Sequence, residues 1–312
     1  MAVSRAAGLT VNACAKLNMT LRVLGVRDDG YHSLRTVFQS VALHDTLTFR
    51  PARGDFQIAC DDPACPTDHT NLVWRAADFV WRAAGRRGRP CGVHVRIVKR
   101  IPVQAGLGGG SSDGAAAVRG LAALWRVTLA AGQMRAIAAG LGADVPFFLG
   151  GGTALGLERG DLLFPLADRP AAWVVLAIPA FGVSTKDAYA WWDLAQADGT
   201  RPVGAGEIAR GRARGVDAGG LPDVELRNDL QAVVSARHPQ IERLVRSLRR
   251  GGASYAAMSG SGSAVFGLFG SRARAEAACR SVRSHARHVL VTQTLDRARY
   301  LTAARLRPLS LV

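Results

Sequence analysis

A glycine-rich segment, residues 102–113, has the composition that most directly indicates chemistry in this sequence. Four of the five residues at 106–110 are glycines, which let a backbone approach a ligand closely and adopt positive φ. Ser111 and Ser112 follow them and lead into an alanine-rich stretch that predicts a helix. Because the free N–H groups of a helix N-terminus suit phosphate, we interpret this segment as a phosphate-binding loop. The alternative is a flexible turn before a serine-capped helix.

The spacing of these glycines excludes two common nucleotide-binding loops. A Walker loop needs a Lys-Ser/Thr pair after its glycines, and this segment has none. A dinucleotide-binding G-x-G-x-x-G counted from Gly106 would need glycine at the position of Ser111.

Asp144 and Lys16 are of residue types that are compatible with a role in proton transfer. Asp144 lies in a Gly-Ala-Asp-Val-Pro turn, where its carboxylate would accept the proton of an attacking hydroxyl; a purely turn-forming role is the alternative. Lys16 is one of three lysines among 40 basic residues, the others being Lys99 and Lys186. Its compact ammonium would hold the carboxylate ionised, and the alternative is an exposed strand lysine.

Composition and charge narrow the class of protein. The chain has 312 residues and a net charge of +16, which favours anionic ligands. The arginines are spread along the whole chain, and the N-terminal stretch 1–8 has no long apolar core. No apolar run reaches the roughly 18 residues of a membrane span. We therefore expect a soluble cytoplasmic protein that binds neither nucleic acid nor membranes. The sequence leaves open whether it is a monomer or a homodimer.

Hydrophobic periodicity predicts a mixture of strands and helices. Strands are expected at 9–24, 34–50, 93–97, 173–178, 254–258, 264–269 and 288–294, and helices at 72–84, 113–124, 129–140, 185–196, 228–249 and 271–286. Residues 197–221 lack periodicity and are predicted to form a surface loop. Asp168-Arg169-Pro170 suggests a boundary between two domains, 1–168 and 169–312. The fold class is α+β.

Three segments in the same order resemble the GHMP kinases, a family that includes galactokinase and the homoserine and mevalonate kinases. They are residues 15–18 (Ala-Lys-Leu-Asn), the glycine-rich loop, and residues 258–264 (Met-Ser-Gly-Ser-Gly-Ser-Ala). The resemblance covers nearly the whole chain. It implies an N-terminal ribosomal-protein-like α/β domain and a C-terminal ferredoxin-like split βαβ domain, with the active site between them.

The resemblance also implies that the chain uses ATP, with Mg²⁺ to neutralise phosphate charge, although no protein ligand of the metal is identified. Asp144 and Lys16 would be the catalytic residues. The residues implied to bind ATP are Asn71, Leu72, Lys99, Gly106, Leu107, Gly108, Gly109, Gly110, Ser111 and Ser112.

Further segments narrow the resemblance to a GHMP kinase that phosphorylates the 2-hydroxyl of a cytidine-diphospho methylerythritol for isoprenoid precursors. These are residues 30–34 (Gly-Tyr-His-Ser-Leu), 141–148, 183–189 and 228–230. The implied substrate-binding residues are Asn18, Tyr31, His32, Tyr189, Gly260 and Ser261. Tyr31 and Tyr189 would cover the two faces of the cytosine, and His32 would bind its edge.

Two other interpretations remain at this point. One is another GHMP kinase, of the homoserine or mevalonate type, which has no reason to carry the Tyr31-His32 pair. The other is a non-catalytic nucleic-acid binder, suggested by the charge. A binder has no need of an aspartate, a lysine and a phosphate loop together.

Overall fold

The computed structural model describes residues 8–197 and 226–309. Most of the predicted loop at 197–221 lies outside these residues. The strands of the first sheet are β1 Leu9–Val26, β2 His32–Asp55, β3 Gln57–Cys60, β4 Cys91–Val98, β5 Thr153–Glu158, β6 Leu162–Pro165 and β11 Arg307–Pro308. Their order is β11-β1-β2-β4-β3, with β5 paired to β2 and β6 to β5. Among the described strands of this sheet, β3 and β4 are the one pair that is parallel.

The second sheet contains four antiparallel strands. They are β7 Trp173–Ile178, β8 Tyr255–Met258, β9 Val265–Phe269 and β10 His288–Gln293, in the order β10-β7-β9-β8. Helices lie between β7 and β8 and between β9 and β10 along the chain. This succession is the split βαβ arrangement expected for the C-terminal half.

Nine α-helices lie within the described residues. Their bounds are α1 Leu72–Ala83, α2 Gly109–Leu124, α3 Ala131–Leu141, α4 Phe147–Gly150, α5 Thr185–Ala197, α6 Asp229–Arg237, α7 Gln240–Arg250, α8 Arg272–Val282 and α9 Arg297–Ala303. None of these helices is long and apolar enough to cross a membrane.

Helix α1 forms as the sequence predicts. Asn71 is its N-cap, and the side-chain oxygen accepts a hydrogen bond from the backbone N–H of Val73. The apolar residues at helical spacing face the core, where Val73 and Val80 are fully buried. Gly85 follows the helix with φ +71°, a conformation that glycine adopts without strain.

Helix α2 begins at Gly109, four residues before the predicted start at Asp113. Because glycine lowers helix propensity, the sequence predicts a loop rather than a helix at residues 109 and 110. Tertiary packing overrides that preference, since α2 lies against the first sheet and α1. A Cβ at Gly120 would come within 2.5 Å of the Phe49 ring, so this glycine allows the close approach of helix and sheet.

The two sheets are joined by a shared core beneath β1. Leu17 and Met19 of β1 pack in one cluster with Leu176 of β7 and Phe266 of β9. Farther along β1, Leu21 packs into the helices of the C-terminal half. Strand β1 of the first sheet therefore packs directly against the second sheet and its helices.

A short strand near the C-terminus pairs with the first sheet. Strand β11 pairs with β1 through Leu9↔Pro308 and Thr10↔Arg307. Tyr300 of α9 is buried and donates its hydroxyl proton to the backbone carbonyl oxygen of Phe148, 2.6 Å away. The boundary at 168/169 stays a prediction, and the second sheet begins at Trp173.

Candidate active site

One cavity of about 1280 Å³ opens between the two sheets. Its walls contain all but one of the residues that the sequence predicts to act on ATP or substrate. They are Lys16, Asn18, Tyr31, His32, Asn71, Leu72, Lys99, Gly106, Leu107, Gly108, Gly109, Gly110, Ser111, Asp144, Tyr189, Gly260 and Ser261. Ser112 does not line the cavity: its buried hydroxyl donates to the backbone carbonyl oxygen of Cys14 at 2.7 Å. That contact ties the start of α2 to β1.

The glycine-rich loop packs against both of the other predicted motifs. The backbone N–H of Lys16 donates to the carbonyl oxygen of Leu107 at 3.0 Å, and that of Ala264 donates to Ala105 at 3.0 Å. Gly106 has φ +75°, and a Cβ there would lie 2.2 Å from the carbonyl oxygen of Ser259. Only glycine allows this approach, so the three motifs form one continuous wall.

The first turn of α2 lies in the wall of the cleft. Gly108 is the N-cap, with φ 70°, and makes no side-chain capping hydrogen bond. The first backbone N–H groups of a helix have no intrahelical partner and carry partial positive charge. Gly110 is exposed, with no atom within 4 Å of where a Cβ would stand. The turn has both the space and the donors to hold phosphate.

Lys16 and Asp144 form an ion pair beside this turn. Lys16 Nζ lies 3.3 Å from Asp144 Oδ2, and their side chains are 5% and 34% exposed. Lys16 Nζ also donates to Asn18 Oδ1 at 2.6 Å, and Asn18 Nδ2 donates to Thr36 Oγ1 at 2.7 Å. The network fixes the ammonium on one side, while the carboxylate stays accessible from the cleft.

Lys99 lies below the loop in a buried cluster with two aspartates. Its Nζ is 2.5 Å from Asp45 Oδ2 and 2.7 Å from Asp113 Oδ2. Burial lowers the pKa of Lys99, but attraction to Asp113 and Asp45 outweighs burial, so the pKa is raised overall. Asp45 Oδ1 accepts hydrogen bonds from the backbone N–H groups of Arg100 and Ile101. The cluster links the residues that precede the loop, 99–101, to Asp113 near the start of α2.

An aromatic cluster forms the opposite end of the cleft. The His32 ring stacks on Tyr189 at 4.6 Å between centroids and 24° between planes, and meets the edge of Trp192 at 5.7 Å. His32 Nε2 lies 2.7 Å from Asp193 Oδ1. Tyr31 is 59% exposed, with the Arg159 guanidinium 5.4 Å from its ring centre. The face of Tyr189 that contacts His32 is therefore not open to a base.

Tyr189 lies between the two ends of the cleft. Burial raises the pKa of its phenol, and the nearby Asp144 carboxylate raises that pKa further. The phenol consequently stays protonated at neutral pH.

Sequence reasoning missed four polar residues that support this site: Thr36, Asp45, Asp193 and Ser259. Thr36 and Asp45 belong to β2, where no local pattern separates them from other strand residues. Ser259 accepts from the backbone N–H of Asn18 at 3.2 Å and donates to Gly106 at 2.9 Å. Its place in the third motif was the one available signal. Asp193 follows Tyr189 by four residues, which on a helix puts both on one face.

Comparison with known families places both halves of the chain in one family. Residues 71–152 match the model described as GHMP kinases N terminal domain, and residues 219–288 match that described as GHMP kinases C terminal.

Curated relatives resemble the chain along nearly its full length. The 4-diphosphocytidyl-2-C-methyl-D-erythritol kinase of Moorella thermoacetica is 41% identical over 290 residues, covering 92% of this chain and 99% of that protein. The enzyme of the same name from Solibacter usitatus is 45% identical, covering 84% and 81%.

Solved structures agree with this assignment. A crystal structure of 4-(cytidine 5'-diphospho)-2C-methyl-D-erythritol kinase superposes with a TM-score of 0.71 at 31% identity, covering 91% of this chain and 98% of that one. A homoserine kinase from Cytophaga hutchinsonii has a TM-score of 0.65 at 17% identity, covering 98% and 99%, and so shares the fold. This chain belongs to the GHMP kinase family, in its group of 4-diphosphocytidyl-2-C-methyl-D-erythritol kinases.

Proposed function

We propose that this protein transfers the γ-phosphoryl group of ATP to the 2-hydroxyl of 4-diphosphocytidyl-2-C-methyl-D-erythritol, in the non-mevalonate route to isoprenoid precursors. The relatives that it matches over most of its length carry the name of this enzyme. Three features of the cleft support this proposal. The first turn of α2 suits phosphate, the Lys16–Asp144 ion pair suits proton transfer, and the aromatic cluster around His32 and Tyr189 suits a base.

The first turn of α2 holds the phosphates of ATP. Its free N–H groups and the helix dipole stabilise negative charge, and the open space at Gly110 admits a phosphate group. Asn71 and Leu72 line the cavity next to this turn and would contact the adenosine part of the nucleotide. Lys99 acts on the nucleotide mainly by fixing the turn, because its ammonium already binds two carboxylates.

Asp144 is the general base. It accepts the proton of the 2-hydroxyl as that oxygen forms its bond to the γ-phosphorus, while the bond to the β–γ bridging oxygen breaks and ADP leaves. Lys16, 3.3 Å away, offsets the negative charge that develops on the attacking oxygen. Asn18 holds the Lys16 ammonium in place by its 2.6 Å hydrogen bond.

Mg²⁺ suits this site because Ser111 offers an oxygen ligand at the start of α2. The half-buried Ser111 lines the cavity, and its hydroxyl makes no hydrogen bond within the described residues. A serine there, with phosphate oxygens and water, is a set of ligands that Mg²⁺ prefers. When bound, the ion neutralises charge on the β- and γ-phosphates.

The observation that carries this proposal is the position of Lys16 between base and loop. Its ammonium contacts Asp144, and a Cβ at Gly108 would lie 3.0 Å from its Cε. The Lys16–Asp144 pair, which would take part in proton transfer, therefore lies directly against the loop that would bind the phosphates.

A coupled assay of ADP release tests the proposal. The purified protein is given ATP and Mg²⁺ with the cytidine-diphospho substrate, homoserine or mevalonate. We expect turnover with the cytidylated compound alone. Turnover with homoserine or mevalonate in its place would contradict the assignment.

A further inference from the structure

We propose that Asp193 is a positioning residue that sets the proton arrangement of His32 and thereby makes the site select cytosine over uracil. The proposal rests on the proposed function and adds a determinant of base specificity. Asp193 belongs to α5, and His32 begins β2, so the contact joins the two halves of the protein.

Helix α5 surrounds the imidazole on several sides. Tyr189 stacks on its face, Trp192 contacts it edge-on, and Asp193 Oδ1 lies 2.7 Å from Nε2. These residues have the i, i+3, i+4 spacing that places side chains on one face of a helix. Only 10% of the His32 side chain is exposed, so its ring is held in one orientation.

The carboxylate dictates which ring nitrogen carries the proton. An ionised aspartate can only accept a hydrogen bond, so Nε2 must be the donor. In a neutral imidazole, Nδ1 is then an acceptor. Within the described residues His32 Nδ1 has no hydrogen-bond partner and is not one of the polar atoms that are both buried and unpartnered, and His32 lines the cavity. His32 Nδ1 is thus available as a hydrogen-bond acceptor, and not as a donor, for a base bound in the cavity.

An acceptor of this kind distinguishes the two pyrimidines at position 4. Cytosine carries an amino group there, which donates to Nδ1. Uracil carries a carbonyl oxygen, which faces Nδ1 acceptor to acceptor and leaves both groups unpaired. A site built for a hydrogen bond rejects an analogue that lacks the donor, because the site's own polar group loses its partner.

Without the carboxylate, the ring is free to place its proton on either nitrogen. The Nδ1–H form would donate to the uracil oxygen, so the preference should relax. The Asp193→Ala variant tests this, with Asp193→Asn as a second variant that keeps the size of the side chain. Asp187→Ala is the control, since Asp187 is an exposed acid on the same helix that does not line the cavity.

The measurement is kcat/KM for the cytidine-diphospho and uridine-diphospho forms of the substrate. We expect Asp193→Ala to lower the cytidine-to-uridine ratio roughly tenfold, the size of one hydrogen bond, mainly through KM. The kcat for the cytidylated compound should stay within about threefold of wild type, and Asp187→Ala should keep the wild-type ratio. An unchanged ratio in both Asp193 variants would overturn the proposal.

Nitrogen-15 NMR of the histidine rings gives a readout that does not depend on turnover. The chain has 7 histidines, and the His32 signal is identified by its loss in His32→Gln. We expect the Nε2–H form in wild type and a mixture in Asp193→Ala. A wild-type ring that is protonated on Nδ1 or on both nitrogens would refute the mechanism. If wild type turns over neither compound, the proposed function fails instead, and the NMR result still decides the role of Asp193.

Discussion

The two ends of the cleft are built in different ways. At the reaction end, Lys16 and Lys99 are nearly inaccessible, with 5% and 4% of their side chains exposed, and each is held by acidic or amide oxygens. At the base end, Tyr31 is 59% exposed and 45% of the Asp193 side chain is exposed. The contacts there are mostly between rings.

This difference matches what each end must do. Phosphoryl transfer depends on groups that are fixed before the substrate arrives, since reorganising charges during the reaction would cost rate. Base binding depends on stacking area and on one or two directed hydrogen bonds. We therefore expect changes at the reaction end to alter stability or kcat, and changes at the base end to alter substrate affinity.

The largest effect should come from removing the charge at Lys99. Lys99→Met leaves the Asp45 and Asp113 carboxylates, 0% and 3% exposed, without a counter-charge. Breaking a buried ion pair on one side costs about 3–5 kcal/mol, so the free energy of unfolding should fall by that amount in urea denaturation. Lys186→Met, at an exposed position, is the control and should change it by less than about 0.5 kcal/mol.

A second substitution sharpens the same test. Burial raises the pKa of Asp113 to about 8, so adding Asp113→Asn to Lys99→Met removes a buried acid that is costly to ionise and should restore part of the lost stability. A loss below about 1 kcal/mol in the single variant would mean that the cluster does not support the loop.

At Asp144 the main expected loss is in turnover. Asp144→Asn keeps the shape of the side chain but removes the proton acceptor, so kcat should fall by about two orders of magnitude or more. ATP affinity should hardly change, while the melting temperature should fall somewhat, because Lys16, whose side chain is 5% exposed, loses the carboxylate 3.3 Å from its ammonium. Near-normal kcat would remove Asp144 from the role of base.

At the base end, Tyr189→Ala should weaken substrate binding by roughly one to two orders of magnitude. The change removes a stacking surface and also the ring that supports His32. ATP affinity, measured by calorimetry, should be unaffected. Tyr189→Phe keeps the ring and serves as the matched control; equal loss in both variants would point to the hydroxyl instead.

The smallest effect that we expect, about tenfold on ATP affinity, tests the first turn of α2. Gly110→Val adds a side chain where no protein atom lies within 4 Å, so the fold should survive while phosphate is obstructed. Gly132→Val is closely matched: Gly132 is also the second residue of a helix, has open space and lies outside the cavity. Equal ATP affinity in both variants would place the phosphates elsewhere. Gly109 suits this test less well, since a Cβ there would lie 2.9 Å from Ile101 Cγ2.

Sequence reasoning reached the family, the fold class and most of the elements because their signals are local. The glycine-rich loop, the cap at Asn71 and the alternating apolar residues of β4 can each be recognised within a short window. The early start of α2 was missed because packing against the sheet outweighs the low helix propensity of glycine.

The supporting residues were missed for a different reason. Asp45 lies 54 positions from Lys99 in the sequence, and His32 lies 161 positions from Asp193. Such partners meet only through the long antiparallel strands and the docking of α5, which no short pattern encodes. Ser112 shows the converse, since a motif serine turns away from the cleft to bind Cys14 of β1.

The central claim is that one cleft joins a reaction end to a cytidine-binding end. The most direct test compares wild-type kcat/KM for the cytidylated substrate with that for free methylerythritol phosphate, which has the reacting hydroxyl but no base. If the aromatic end binds cytosine, remote binding energy should favour the cytidylated compound by about two orders of magnitude or more. Equal values for the two compounds would show that the aromatic cluster does not bind the base, and would contradict the account.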